Sequence, residues 1–203
     1  MANILQFPVQ PRKFGFKAVR KKSGKAESKS QLNIFEQTSG NVMQMPVHQN
    51  DFDQALSLDE RGDLKAADYY QKVIDDGGDN AADAYCNLGI LESKRNRSAR
   101  AFDCFTQSLK VNPRHFEAHF NLGNLYFDQG DFRLAKLHYE LAAEIDPESP
   151  NTYFNLGLAL AINNEFEPAV KALRRYTDLT PPQEAEKADD LIRRLTEINS
   201  SQN

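Results

Sequence analysis

Residues 116–149 read FEAHFNLGNLYFDQGDFRLAKLHYELAAEIDPES. Apolar side chains return every three or four positions on both sides of a Gly130-Asp131 break, and Pro147 closes the stretch. That spacing predicts two amphipathic helices joined by a tight turn, because 3.6 residues per turn brings such positions onto one face. Glycine supplies the turn at little steric cost. Proline stops the second helix, since it has no N–H to donate and its ring clashes with the preceding turn.

Outward from this stretch the pattern repeats. Asn121-Leu122-Gly123 has copies 34 residues away on either side, at Asn87-Leu88-Gly89 and Asn155-Leu156-Gly157. Ala101, Ala135 and Ala169 keep the same interval, as do Pro113, Pro147 and Pro181. Phe105, Tyr139 and Leu173 hold one bulky slot at that interval. Slots sharing one period over three copies predict an array in which each hairpin hides its apolar face by stacking on its neighbours. The glycine is expected to let the second helix approach, the alanine to answer it, and the bulky residue to fill the space between repeats.

Upstream, Leu64 to Lys72 looks like the second helix of an earlier unit, and Asp51 to Arg61 is its candidate first helix. There the register slips by one residue, because Gly77-Gly78-Asp79 replaces the proline turn of the later units. Downstream, Gln183 to Glu197 carries Ala185, Ala188, Leu191, Ile192 and Leu195 on one side, with Ile198 just beyond, and reads as a capping helix with a polar outer face. Two slots depart from the pattern. Glu92 stands where Tyr126 and Leu160 follow, and Tyr176 stands where Ser108 and Ala142 precede, so looser packing is expected in the second and fourth units. No stretch alternates with period two, so no strand is predicted.

Residues 1–50 differ in texture. They are rich in Lys, Gln, Ser, Gly and Pro, show no sustained periodicity, and are expected to be disordered. They carry eight basic side chains against two acids, a surplus of six positive charges. With a net charge of −4 overall, the remaining chain therefore carries about ten negative charges. A basic tail joins an acidic body. The tail has no apolar core of the kind that marks a secretory signal, although its basic, acid-poor start leaves a mitochondrial address open. The expected location is cytoplasmic. The two cysteines, Cys86 and Cys104, lack metal-site spacing and are expected to be reduced core thiols.

The repeat resembles the tetratricopeptide repeat family over about Asp51 to Asn199, with Phe116 to Ser149 nearly a consensus unit. The resemblance implies an all-α helix-turn-helix solenoid with units at about 51–81, 82–115, 116–149 and 150–182, and a capping helix at 183–198. It implies a protein-binding adaptor rather than an enzyme, with no cofactor and no metal. First helices line the concave, ligand-binding face in this family. The resemblance places on that face Cys86, Asn87, Ile90, Phe120, Asn121, Asn124, Phe127, Phe154, Asn155 and Leu158. The phenylalanines there either face an open groove or meet the capping helix. Asn87, Asn121 and Asn155 form a row similar to the asparagine ladder in the helical scaffold of the O-linked N-acetylglucosamine transferase. A carboxamide donates to one backbone carbonyl and accepts from one backbone N–H, so such a row can grip an extended peptide without reading its side chains. The alternative is that Asn-Leu-Gly is simply the common form of the repeat. Some relatives clamp the carboxylate end of chaperone peptides with lysines, but Glu117 and Asn151 stand at the slots where a lysine is needed.

Three further features need weighing. Gln31-Leu32-Asn33-Ile34-Phe35 resembles the peptide by which bacterial proteins dock on the replisome's sliding clamp, with Gln31, Leu32 and Phe35 as anchors, or is a chance apolar patch. Arg12 to Lys29, with Phe14 and Phe16 interleaved, could touch nucleic-acid phosphates or an anionic membrane, fold back on the acidic body, or stay solvated. His115 and His119 have a zinc-compatible spacing but no third ligand, and His119 falls in a slot that packs between helices. No nucleophile–base grouping or phosphate loop is evident.

Overall fold

The computed structural model describes residues 18–20 and 50–202. The described residues form nine helices and no strand. Four antiparallel pairs follow one another: α1 (Asp51–Glu60) with α2 (Ala66–Asp76), α3 (Ala81–Lys94) with α4 (Ser98–Val111), α5 (Phe116–Asp128) with α6 (Phe132–Ile145), and α7 (Pro150–Ile162) with α8 (Phe166–Leu179). The last helix, α9 (Pro182–Gln202), packs on α8. Each helix packs chiefly on its chain neighbours, while α3 meets α5 and α5 meets α7, so the first helices line up side by side.

The turn inside each pair is built from backbone chemistry. Gly62, Asn96, Gly130 and Asn164 lie 34 residues apart, and all have φ between 58° and 81°. The N–H groups of Asp63, Arg97, Asp131 and Glu165 each donate, at 2.9 Å, to the carbonyl five residues back, on Leu58, Glu92, Tyr126 and Leu160. This is the arrangement in which one left-handed residue lets two N–H groups satisfy carbonyls at a helix end. Glycine and asparagine are the residues that enter that region most cheaply. At the other ends, Asn50, His115 and Asp131 accept from the N–H groups of Asp53, Ala118 and Leu134.

This frame relocates the register slip. Ala66 follows the left-handed Gly62 by four positions, whereas Ala101, Ala135 and Ala169 follow their left-handed residues by five. The residue is missing after Gly62, and the Gly77-Gly78 turn restores the frame rather than causing the slip.

The glycine slot also differs from expectation. A β-carbon on Gly89 would stand 2.7 Å from Phe105 Cε1, one on Gly123 2.5 Å from Tyr139 Cε1, and one on Gly157 2.7 Å from Leu173 Cγ. The bulky side chain of the same repeat lies nearest the glycine, and at Gly157 the Ala169 carbonyl oxygen also stands 3.4 Å from the added β-carbon. Ala101, Ala135 and Ala169 are fully buried nearby in the second helices.

The two departures are accommodated differently. Glu92 is buried but paired with Arg95 at 3.1 Å and Arg97 at 3.3 Å, with Arg100 at 3.9 Å. The tight turn itself brings Arg95 and Arg97 back onto the carboxylate. Tyr176 is buried against Phe154, 5.1 Å between ring centroids, and its hydroxyl donates to the Glu184 carbonyl. Its extra bulk therefore ties α7 and α8 to α9, rather than loosening the last pair.

Candidate functional site

The row of asparagines sits one each on α3, α5 and α7, two residues before the glycine slot, because Asn-Leu-Gly is a single motif on those helices. Asn87, Asn121 and Asn155 are all fully buried. They are not equivalent in what they hold.

Asn87 grips a residue of the tail. Val19 donates its N–H to Asn87 Oδ1 at 2.8 Å, and Asn87 Nδ2 donates to the Val19 carbonyl at 2.9 Å. The second Nδ2 proton goes to the Tyr70 hydroxyl at 3.2 Å, which in turn donates to Asp59 Oδ2 at 3.3 Å. Burial, and then the Asp59 charge, push the Tyr70 hydroxyl well above its ordinary range, so it stays protonated and can play both parts. Both carboxamide protons and the carbonyl oxygen are thereby used, and the amide plane is held in the orientation that meets an incoming backbone. The Val19 side chain is buried and joins the cluster containing Cys86, Ile90 and Phe105.

Farther along, Asn124 Oδ1 accepts from the Tyr139 hydroxyl at 2.7 Å and from Asn155 Nδ2 at 2.9 Å. Asn121 Nδ2 lies 3.5 Å from Cys86 Sγ. Asn155 thus reaches the repeat before it, as Asn87 reaches Tyr70 of the repeat before it. The carboxamide row stitches first helices to the preceding pair as well as facing inward.

The apolar members of the expected groove are placed as follows. Cys86, Ile90, Phe120 and Leu158 are buried. Phe120 packs on Phe116 and on Tyr139, with ring centroids 6.1 and 6.0 Å away. Phe127 is half-buried, edge-on to Phe132 at 5.1 Å, and Phe154 is half-buried against Tyr176. Burial pushes the Cys86 thiol well above its ordinary range and that of Cys104 up to about 11, so both stay protonated near neutral pH.

At the N-terminal ends of α1, α3 and α5 lies a cavity of about 790 Å³, with Val19 and Arg20 in its wall. Five carboxylates line it, from Asp53, Asp79, Asp83, Glu117 and Asp146, against the cations of Arg20 and Arg114. His115 Nδ1 accepts from the Ala118 N–H at 3.2 Å, so its proton is on Nε2, which donates to Asp83 Oδ1 at 2.8 Å. His115 is therefore a helix cap and a carboxylate partner. His119 lies between α5 and α6: its Nε2 meets the Pro113 carbonyl at 3.1 Å and its Nδ1 meets His138 Nδ1 at 3.1 Å. Among the described residues no three His, Cys, Asp or Glu side chains group as metal ligands would.

Gln31, Leu32 and Phe35, like Phe14 and Phe16, lie outside the described residues. Sequence reasoning missed Val19, Tyr70 and Asp59. The available signal at Val19 was one β-branched residue inside a basic run, overshadowed by the two phenylalanines before it. Tyr70 holds the bulky slot of the first unit, which the one-residue slip hides from a 34-residue comparison.

The described helices thus form a solenoid of stacked two-helix repeats, with the first-helix face meeting the backbone of Val19 at Asn87. The matches agree. Models described as tetratricopeptide repeat match residues 82–115, 150–183 and 104–136, and one described as TPR repeat matches 123–164. The chain belongs to the tetratricopeptide repeat family. It is 27% identical over 122 residues to the BBSome complex member BBS4 of Bos taurus, covering 60% of this chain and 23% of that protein. It is 33% identical over 82 residues to the probable UDP-N-acetylglucosamine–peptide N-acetylglucosaminyltransferase SPINDLY of Hordeum vulgare, covering 40% of this chain and 9% of that one. The chain thus spans under a quarter of these relatives. In fold it is similar to the MamA protein, with a TM-score of 0.62, 18% identity, and coverage of 74% of this chain and 83% of that one. It is also similar to the first tetratricopeptide domain of Spaghetti (RPAP3) bound to the HSP90 peptide SRMEEVD, with a TM-score of 0.54, 22% identity, and coverage of 59% and 93%. No described helix is long and apolar enough to cross a membrane.

Proposed function

We propose that this chain is a non-catalytic adaptor that holds a peptide of another protein against the face of its first helices. The observation that carries the proposal is the paired hydrogen bonding between Asn87 and the backbone of Val19. A side chain that binds both polar groups of one residue recognises peptide as such, and a face that already seats one non-helical segment is suited to seating others. The half-buried Phe127 and Phe154 extend that face with apolar contact area.

The acidic chaperone end bound by the RPAP3 domain is a poor candidate here. The peptide SRMEEVD carries three carboxylate side chains. Asp83 and Glu117 would repel them, and no lysine occupies the Glu117 and Asn151 slots.

The test is comparative capture from a cell extract of the source organism, quantified by mass spectrometry. Proteins held by the full chain should be lost from a Phe127→Ala, Phe154→Ala variant with unchanged helicity. They should be kept by Lys171→Ala, whose side chain is 74% exposed on α8. If the folded double variant keeps the same proteins as the native chain, the groove is not the binding surface.

A further inference from the structure

An extended strand and a helix present their backbone groups differently. In a strand, the N–H and C=O of one residue point to the same side, so a single carboxamide can engage both. In a helix they point in opposite directions along the axis and are already bonded within the chain. The two contacts between Asn87 and Val19, at 2.8 and 2.9 Å, are therefore available to an extended segment and not to a helix. Valine suits such a segment, because its branched β-carbon favours extended backbone.

The surroundings narrow the chemistry further. Val19 is 9% exposed and packs into the cluster containing Cys86 and Ile90, a space for a compact apolar side chain. The next residue, Arg20, is exposed at the wall of the cavity that holds five carboxylates. In sequence, Val19 is flanked by Lys17, Arg20, Lys21 and Lys22. A phosphate backbone or an acidic peptide would meet carboxylates there; a cationic strand meets its counter-charge.

We infer that Asn87, with the carboxylates beside it, is a binding site for an extended cationic peptide centred on a β-branched residue, and that Ala18-Val19-Arg20 is its resident ligand in cis. A partner peptide enters this site only by displacing the tail. The inference rests on the adaptor reading above and gives it both a ligand class and a regulation. Tethering makes the tail's binding intramolecular, at an effective concentration of roughly millimolar order, so even a weak contact keeps the site filled. Removing the tail from the site should accordingly raise the apparent affinity for a competing strand.

The probe is a labelled synthetic peptide spanning residues 12–26, titrated by fluorescence anisotropy into the full-length chain. Val19→Asp places a charge where a buried methyl pair sits, outside the helical array, and should eject the tail without altering the circular dichroism spectrum. The peptide should bind that variant at least tenfold more tightly than it binds the native chain. A peptide N-methylated at the Val19 amide lacks the donor to Asn87 Oδ1 and should bind the variant at least tenfold more weakly. A charge-reversed peptide, with glutamate at each basic position, should show no binding at the same concentrations. Equal affinity for the native and Val19→Asp chains would overturn the cis occupancy. Undiminished binding of the N-methylated peptide would overturn the backbone grip, and undiminished binding of the charge-reversed peptide the cationic preference. These results separate from the capture experiment. Peptide binding as expected, with no protein lost from the Phe127→Ala, Phe154→Ala variant, supports the site and sinks the adaptor groove; the reverse pattern sinks only the site.

Discussion

A β-carbon on Gly123 would stand 2.5 Å from the Tyr139 ring, closer than carbon atoms approach in packed interiors. The ring cannot swing away freely, because its hydroxyl donates to Asn124 at 2.7 Å and the ring packs, tilted, on Phe120. One missing methyl group thus sets how near α5 runs to α6. Gly123→Ala should cost about 1–3 kcal/mol, the usual range for overpacking a filled interior. A denaturant titration followed by circular dichroism measures it. A change below the error of that titration would show that Tyr139 yields more readily than its contacts suggest. The same slot in the first unit is Ala55, fully buried, where the shortened turn after Gly62 offsets the ring of Tyr70 by one position. The chain therefore tolerates a methyl group in this slot only where the facing helix has been re-registered.

At the scale of elements, the seam between α5 and α6 carries a proton-sensitive contact. His119 Nε2 donates to the Pro113 carbonyl, so its Nδ1 is left as the acceptor for His138 Nδ1–H. Burial lowers the pKa of both rings, and burial together with the neighbouring His119 brings His138 down to about 4. A proton added at His119 Nδ1 would set two donors face to face, and one added at His138 would place a charge in the buried seam. In the unfolded chain each ring takes up a proton near its ordinary pKa of about 6.5, whereas the folded seam refuses it. Above that pH both states are neutral and the pair has no effect. Between about 6.5 and about 4 the unfolded state binds more protons, so stability falls as the pH is lowered through this window. His138→Gln keeps a donor toward His119 but does not titrate. Its unfolding midpoint should therefore fall less than the native one between about pH 7 and about pH 4.5. Parallel curves for the two proteins would show that the seam does not sense acid.

For the whole molecule, stability is close to a sum over neighbouring helices, since each packs chiefly on the one before and after it. The capping helix closes one end. Leu195 and Ala188 of α9 are fully buried and share a cluster with Leu173 and Tyr176 of α8. Leu195→Ala should cost about 2–4 kcal/mol in transfer and cavity terms. The loss should be local. Amide hydrogen exchange should quicken in α7, α8 and α9 and stay unchanged in α1 to α4. A uniform rise in exchange along the chain would mean that the array unfolds as one cooperative block. The same architecture bears on the tail. Val19 docks on the second repeat, far in sequence from the cap, so a frayed C-terminal end should leave the Val19–Asn87 contact intact.

How much was legible in the sequence follows the same division. The 34-residue spacing of Asn-Leu-Gly, alanine and proline sufficed for the helix pairs, because each slot meets one local physical demand: a turn, a close approach, a stop. The first pair was read less well. Its missing residue follows Gly62, and only the left-handed backbone at residues 62, 96, 130 and 164 reveals that the turns themselves remain in frame. Glu92 and Tyr176 looked like defects because a slot comparison sees residue types and not partners. Folding brings Arg95 and Arg97 back onto Glu92 and sets α9 under the Tyr176 hydroxyl. The asparagine row was legible as a row, but not the difference among its members, which depends on what stands opposite each carboxamide. Local sequence determined the helices, their turns and the inward face, since those depend on contacts a few residues apart. What occupies the face at Asn87 was decided only by the tertiary structure, where Val19 meets a residue 68 positions away in a contact that no periodicity encodes.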